Sequence, residues 1–490
     1  MKYLLLILLV AFGTFSFSQD FVEGRWEGKI LLQDTVLIVD LRIIDQRDSF
    51  VFAVLIKPAD MIMEDSCFNG YEINLKVLKE KLRIRNENII KKEKNQQKKS
   101  ILYYHAKFTG SLADNKNQLN GELTLDDKIF PVTLFRDSVP IYRPQEPKRP
   151  YPYYWEDVVC INLKDSTVLA GTLTLPQKES QFPVVIFQTG NTPHNQDGDG
   201  HYHKSTLVVA DYLTRHGIGV LRYDSRGIGK SKGNFYKSTP LDLSGDLIAW
   251  KEFLASREDV NRNEIGIIGH SEGGMVAAMA ASQSPDFKFI VLLAAPGLKL
   301  RDVFEEQTRL RFEDGEMNQK QYDNTQQANQ KIYEMIDLNL DSKSMNDSLW
   351  KFEKTFIRNY LDSIDNNSIN RFSTENIFST VFAMKISPHN LFNLTVNPSD
   401  YIEKVTCPVL SVGGSLDRHV PTKDNQKAIR QALIKAGNQN FQLIELDGLN
   451  HSFQECEKGT ITEAMKIEQT FSPKALEIIT NWILSQTVNQ

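Results

Sequence analysis

A serine flanked by glycines marks the place in this 490-residue chain where nucleophilic chemistry is expected. The apolar run Ile265–Ile268 leads directly into Gly269-His270-Ser271-Glu272-Gly273, and the small residues of 275–281 follow. A serine at a sharp turn from strand to helix has a strained backbone, and flanking glycines leave room for that turn. An incidental serine in an α/β core is the alternative. We interpret the pattern as a nucleophile elbow with Ser271 as nucleophile.

Ser271 needs a base, and the base needs an orienting acid, because a serine hydroxyl is a weak nucleophile at neutral pH. In the chain order serine, acid, histidine, the candidates are Asp417 and His451. Each follows an apolar, strand-like run, so both would lie at the carboxyl ends of neighbouring strands. The competing residues nearby are Asp424 and Asp447 for the acid, and His419 for the base.

An oxyanion hole requires two N–H groups beside the nucleophile. The first is expected from the backbone of Glu272, the residue after the serine. The second is expected from the loop that follows Gln188, where Asn191 is the first choice and Gly190 the second.

The same loop and its continuation are rich in groups that could bind a metal ion. Their spacing matches no standard zinc or EF-hand pattern, so we expect a hydrated loop that faces the substrate, with no metal and no cofactor. The residues concerned are His194, Asp197, Asp199, His201 and His203.

The elements that must position these groups alternate between apolar strands and helices. Continuous apolar runs are typical of parallel strands buried on both faces, so residues 156–490 are predicted to form a doubly wound, mostly parallel α/β sheet. Between about 297 and 400 the rhythm is interrupted by polar, helix-favouring sequence, including helical patterns over 324–337 and 350–361. We expect a helical cap over the carboxyl end of the sheet.

The N-terminal part has a different pattern. Residues 19–139 consist of short alternating strands, which predicts a small all-β sandwich or barrel. The lysine-rich run 79–99 is expected to be a solvated hairpin, with an anion-binding patch as the alternative. Five prolines within 140–152 predict a stiff linker over 140–155.

Export is predicted from the first 18 residues. A basic start, an apolar run and small residues at Ser16 and Ser18 are typical of a signal peptide cleaved before Gln19. A membrane anchor is the alternative, but it would need a longer apolar run. No other segment is apolar enough to span a membrane, so the mature chain is expected in the periplasm or outside the cell.

Composition excludes some partners and limits the role of the cysteines. A net charge of −5 gives no long-range attraction to nucleic acid. The four cysteines lie far apart without a metal-binding spacing, and export would permit disulfides. We expect buried free thiols; the cysteines are Cys67, Cys160, Cys407 and Cys456.

Three motifs together carry a family resemblance. Residues from about Val158 to Ile483 resemble the α/β-hydrolase superfamily, most of all its exported bacterial esterases and the related serine peptidases of the prolyl-oligopeptidase and serine-aminopeptidase type. The start of the N-terminal part, Gly24-Arg-Trp-Glu-Gly28, resembles an accessory domain of some such esterases. Relatives often have Gly-Ser-Gly-Pro where this chain has Gly190-Asn-Thr-Pro193. The motifs are Asp224-Ser-Arg-Gly-Ile-Gly-Lys-Ser231, Gly269-His-Ser-Glu-Gly-Gly274 and Asp417-x-x-Val-Pro421.

The resemblance implies a serine hydrolase that cleaves carboxylic esters through an acyl-enzyme, on a small-molecule ester or short peptide. A peptidase of the same fold is the nearest alternative, and a binding protein without catalytic activity is a third. The sequence leaves the acyl and alcohol specificity and the oligomeric state open.

Overall fold

The structure is a computed structural model. It describes a set of separate segments up to residue 136 and most of the chain from residue 143. The backbone is described for residues 7–13, 24–32, 35–46, 49–58, 82–83, 106–112, 118–125 and 128–136. Beyond them it describes residues 143–178, 180–200, 203–315, 319–338, 344, 348 and 387–487. The described residues up to Arg136 belong to one compact unit, and those from Arg143 on belong to a second.

The described elements of the first unit are all strands, and every pairing between them is antiparallel. They form one sheet in the order β1-β4-β3-β2-β8-β7-β6-β5, with β1 Ile7–Gly13, β2 Gly24–Leu32, β3 Thr35–Gln46, β4 Ser49–Pro58, β5 Leu82–Arg83, β6 Ala106–Leu112, β7 Gln118–Leu125 and β8 Lys128–Arg136. A separate all-β domain stays a prediction, as does the cleavage of residues 1–18. The lysine-rich run lies outside the described residues except for β5.

The second unit is built on a mostly parallel sheet in the order β18-β17-β16-β15-β11-β14-β10-β9. In this order all neighbouring strands from β18 to β14, including β11, pair in parallel. Strand β10 pairs antiparallel with both β14 and β9. The strands are β9 Tyr154–Asn162, β10 Thr167–Leu175, β11 Phe182–Gln188, β14 Gly219–Tyr223, β15 Val260–His270, β16 Ile290–Leu293, β17 Val409–Gly414 and β18 Phe441–Leu446; the short pair β12 Asp199–Gly200 and β13 His203–Lys204 stands apart. The predicted mostly parallel α/β sheet is confirmed.

Helices cover both faces of this sheet. They are α1 Ser205–Arg215, α2 Pro240–Ala255, α3 Glu272–Gln283, α4 Leu300–Glu313, α5 Gln319–Asp337, α6 Pro388–Thr395, α7 Ser399–Ile402, α8 Thr422–Lys435, α9 Ile461–Ala464 and α10 Pro473–Thr487. On one face Trp250 of α2, Val276 of α3 and Ile429 of α8 pack in one apolar cluster. On the other, Val209 of α1 and Ile479 of α10 belong to a second cluster. Two buried layers explain why the central strands are apolar throughout.

The predicted cap is described at its two ends. Helix α5 confirms the helix expected at 324–337, whereas the helix expected at 350–361 lies outside the described residues. Leu300 of α4 and Val396, which follows α6, pack with Met275 and Met279 of α3. Both ends of the insertion therefore pack against the helix that follows Ser271.

The end of the proline-rich segment is bonded to the second unit. Arg143 donates from Nη1 to the carbonyl of Ile467 at 2.5 Å, and the Gln145 amide exchanges hydrogen bonds with the backbone of Phe471.

In the described part of the chain, none of the helices has the length and apolar character needed to cross a membrane.

The three cysteines within the described residues are free thiols, and Cys67 lies outside them. Burial raises the pKa of Cys160 and of Cys407 to about 12, so both stay protonated and behave as small apolar side chains.

Candidate active site

Ser271 occupies a sharp turn between β15 and α3. Its backbone has φ 57° and ψ −129°, a left-handed conformation that a residue with a side chain rarely adopts. The turn is held by the Ser271 N–H, which donates to the carbonyl of Leu293 at 2.8 Å, and by the Gly274 N–H, which donates back to Ser271 at 2.9 Å. The predicted strand, turn and helix at this serine are confirmed.

The flanking glycines are explained by close backbone contacts. A Cβ on Gly269 would lie 2.2 Å from the carbonyl oxygen of Gly273, and a Cβ on Gly273 would lie 2.4 Å from that of Gln188. Neither position has room for a side chain, because Gly269 lies against the first turn of α3 and Gly273 lies against the end of β11.

Asp417 and His451 lie together, on loops that follow the neighbouring strands β17 and β18. His451 donates from Nδ1 to Oδ2 of Asp417 at 2.8 Å. The other carboxylate oxygen accepts the backbone N–H groups of His419 and Val420, both at 2.8 Å. This arrangement fixes the tautomer of His451 and leaves its Nε2 free to take a proton.

The environment of Asp417 favours its charged form. Burial alone would raise the pKa of this carboxyl group. The charge and hydrogen bond of His451, together with the Val420 N–H, outweigh burial and hold the pKa below its usual value. A charged Asp417 is the form that stabilises an imidazolium at His451.

His270, the residue before the serine, connects the elbow to the loop that carries His451. Its Nε2 donates to the backbone carbonyl of His451 at 2.9 Å, and the two rings lie 4.9 Å apart. Desolvation of the ring and the neighbouring His451 lower the pKa of His270 to about 3, so it acts as a neutral donor. The Ser271 hydroxyl itself has no hydrogen-bond partner among the described residues.

The competing acids and base occupy other positions. Asp447 accepts from the Ser415 hydroxyl at 3.0 Å, and Asp424 lies in the first turn of α8. The His419 ring stacks on His451 at 4.8 Å, and its Nδ1 pairs with the amide of Gln307 at 2.8 Å. Of these carboxylates, Asp417 is the one bonded to an imidazole.

The loop after β11 lies beside the serine. A Cβ on Gly190 would be 3.3 Å from Cβ and 3.6 Å from Oγ of Ser271, so the backbone of this residue faces the hydroxyl. Asn191 follows in an exposed position, and Glu272 opens α3, where backbone N–H groups are free of helical partners. Both expected oxyanion donors therefore lie in segments next to Ser271.

Sequence reasoning missed the buried contacts of the Glu272 side chain. Oε1 of Glu272 lies 2.9 Å from Nε2 of His389, and Oε2 accepts from Nδ2 of Asn393 at 2.5 Å. Both partners belong to α6, more than a hundred residues further along the chain, at separations of 117 and 121. No local pattern pairs residues so distant.

The residues considered as metal ligands have other partners. His203 is buried and bonded to Thr470 and to the Ala464 carbonyl, Asp197 pairs with Arg222, and Asp199 accepts from Asn195. No group of three or more His, Cys, Asp or Glu side chains suited to a metal ion occurs in the described part of the chain. His201 lies outside the described residues.

The chain is similar to several known hydrolases. A family described as serine aminopeptidase, S33, matches residues 198–334. Esterase EstD of Thermotoga maritima is 23% identical over 325 residues, covering 66% of this chain and 67% of that protein. The putative hydrolase YtaP of Bacillus subtilis is 31% identical over 142 residues, which are 24% of this chain and 46% of that protein.

Among solved structures, the esterase Pf2001 of Pyrococcus furiosus aligns with a TM-score of 0.42 at 17% identity, covering 69% of this chain and 92% of that one. The parallel sheet, the strand-turn-helix at Ser271 and the matched family region coincide in the second unit. The second unit therefore has an α/β-hydrolase fold, and its matched family region and its esterase relative support that superfamily.

Proposed function

We propose that this protein is a serine esterase that cleaves small carboxylic esters through an acyl-enzyme. Support comes from the esterase among its relatives and from the groups that surround Ser271. The proposal depends on one observation. His451 is hydrogen-bonded to Asp417, and the backbone of His451 is hydrogen-bonded to His270 in the elbow.

In the proposed reaction the Ser271 hydroxyl attacks the ester carbonyl while His451 takes its proton on Nε2. Asp417 holds the imidazole and stabilises its charged form. The negative oxygen of the tetrahedral intermediate is received by the backbone N–H of Glu272 and by that of Asn191 or Gly190. His451 then returns the proton to the departing alcohol, and water releases the acid by the same steps.

An aminopeptidase is the second candidate, because the matched family carries that description. Such an enzyme needs a carboxylate that pairs with the amine of its substrate. The acid nearest to the nucleophile in sequence, Glu272, is 4% exposed and already bonded to His389 and Asn393. Glu272 is therefore not available to pair with a substrate amine.

The test compares substrates on one preparation of the full chain. We expect turnover of short p-nitrophenyl acyl esters and little turnover of aminoacyl p-nitroanilides. Ser271→Ala should lower ester turnover by at least about 1,000-fold without changing thermal unfolding. Labelling by a fluorophosphonate should be lost in the same variant.

Faster cleavage of the anilides than of the esters would favour the peptidase. Wild-type protein that neither turns over esters nor reacts with the fluorophosphonate would favour a binding protein. Export of the mature chain is part of the proposal, and the mass of the protein recovered from the periplasm would test cleavage before Gln19.

A further inference from the structure

Three buried polar side chains join the elbow to the far end of the cap insertion. Glu272 is the first residue of α3, and His389 and Asn393 lie on α6. His389 and Asn393 are 0% exposed and Glu272 is 4% exposed. Burying a carboxylate is costly unless it is paired, so this set of contacts needs an explanation beyond packing.

The hydrogen bonds fix the net charge of the pair formed by Glu272 and His389. Nδ1 of His389 lies 3.1 Å from the carbonyl of Ser238, which can only accept, so Nδ1 carries a proton. The contact between Nε2 and Glu272 Oε1 holds one more proton. Whether this proton sits on the nitrogen or on the oxygen, the pair has no net charge.

This neutrality matters because the backbone N–H of Glu272 is the first oxyanion donor of the proposed function. Side chain and N–H belong to one residue, so the carboxyl group is no further from this N–H than one glutamate side chain can reach. An unpaired carboxylate there would oppose that charge, and the opposition is strong in a buried site.

We propose that His389 is a positioning residue that neutralises Glu272 and holds its side chain against α6. In this way the end of the cap insertion keeps negative charge away from the oxyanion site. Asn393 contributes the second hydrogen bond to the carboxyl group. The inference rests on the proposed function, since it assigns a task to a residue next to the nucleophile.

The test is a double-mutant cycle of His389→Gln and Glu272→Gln with p-nitrophenyl acetate. His389→Gln alone should lower kcat about tenfold to a hundredfold while KM changes less than about threefold, because the unpaired carboxylate destabilises the negatively charged transition state and not the bound substrate. In a Glu272→Gln background the same His389→Gln substitution should change kcat by less than about threefold, because the carboxylate that His389 neutralises is absent there. The double variant should regain most of the loss, because it removes the carboxylate that His389 had neutralised.

A tetrahedral inhibitor gives an independent readout. Phenylboronic acid forms a negatively charged adduct with a reactive serine, so its inhibition constant should rise in His389→Gln and recover in the double variant. Glu264→Gln is the matched control, because Glu264 is also a buried carboxyl residue but lies in the first half of β15, away from Ser271. Its kcat should equal that of wild type.

Thermal unfolding checks that each variant is folded. If His389→Gln does not fold, Asn393→Leu removes the second donor at nearly constant volume, and its kcat should also fall and be regained with Glu272→Gln. The inference would be overturned if the double variant had a kcat no higher than that of His389→Gln. It would also be overturned if KM of His389→Gln rose by as large a factor as its kcat fell. Wild-type protein without ester turnover would instead overturn the proposed function.

Discussion

Nε2 of His270 donates to the backbone carbonyl of His451 at 2.9 Å. His270 thus holds the loop that carries His451, although the two residues are separated by 181 positions in the chain. Because the ring of His270 stays neutral, it provides this hydrogen bond without placing a charge beside the imidazole of His451. The elbow therefore fixes the backbone of His451, while Asp417 fixes its ring.

His270→Phe should separate this role from simple packing. The substitution keeps a ring but removes the donor, so the loop that carries His451 gains freedom. We expect kcat for p-nitrophenyl acetate to fall about tenfold to a hundredfold, with circular dichroism unchanged. His216→Phe, at an exposed position, is the control, and it should keep full activity. Unchanged kcat in His270→Phe would remove His270 from the positioning of His451.

His270 should also make stability depend on pH. In the unfolded chain its pKa is about 6.5, whereas in the folded protein it is about 3. Between these values the unfolded state binds the extra proton, so the free energy of unfolding falls as the pH decreases, by at most about 1.4 kcal/mol per pH unit.

Urea unfolding between pH 7 and pH 4 would measure this dependence. The folded His270→Phe variant should lose stability less steeply over that window than wild type, because the residue no longer titrates in the unfolded chain. Parallel curves for the two proteins would contradict the lowered pKa of His270.

The second oxyanion donor can be assigned by removing one N–H group. Asn191→Pro deletes the backbone donor, and kcat should fall about a hundredfold or more if this group binds the oxyanion. Asn191→Ala keeps the N–H and should stay within about threefold of wild type. If both variants are fully active, the donor is not Asn191, and the backbone of Gly190, which faces the Ser271 hydroxyl, becomes the candidate.

The buried ion pair of Arg226 and Asp246 should contribute to stability. Arg226 donates from Nε and Nη2 to the two carboxylate oxygens of Asp246, each at 2.7 Å, and Asp246 is 0% exposed. Arg226→Ala leaves this carboxylate unpaired and should lower the free energy of unfolding by about 3–5 kcal/mol. Arg309→Ala, which breaks only exposed pairs of α4, should cost less than about 1 kcal/mol. Similar losses in urea unfolding would contradict the difference in burial.

The α/β part of the fold could be predicted from local patterns. Apolar runs such as Ile265–Ile268 indicate strands buried on both faces, and the observed strand Val260–His270 contains this one. Its ends extend further than predicted, because Val260 pairs with Phe182 and His270 with Leu293, so pairing and not hydrophobicity sets the ends of the strand. The cap could be predicted only as a helical insertion, since polar helices carry no signal for what they pack against.

The sequence by itself determined the elbow at Ser271, because a glycine, a serine and two further glycines at a strand end leave the backbone few other conformations. It also determined which residue types could serve as acid and base, since chain order and strand ends are local features. Only the tertiary structure decided which carboxylate pairs with His451, that His270 holds the loop of His451, and that His389 pairs with Glu272. Hydrogen bonds act over about 3 Å, so partners far apart in sequence become known only when folding brings their atoms into contact.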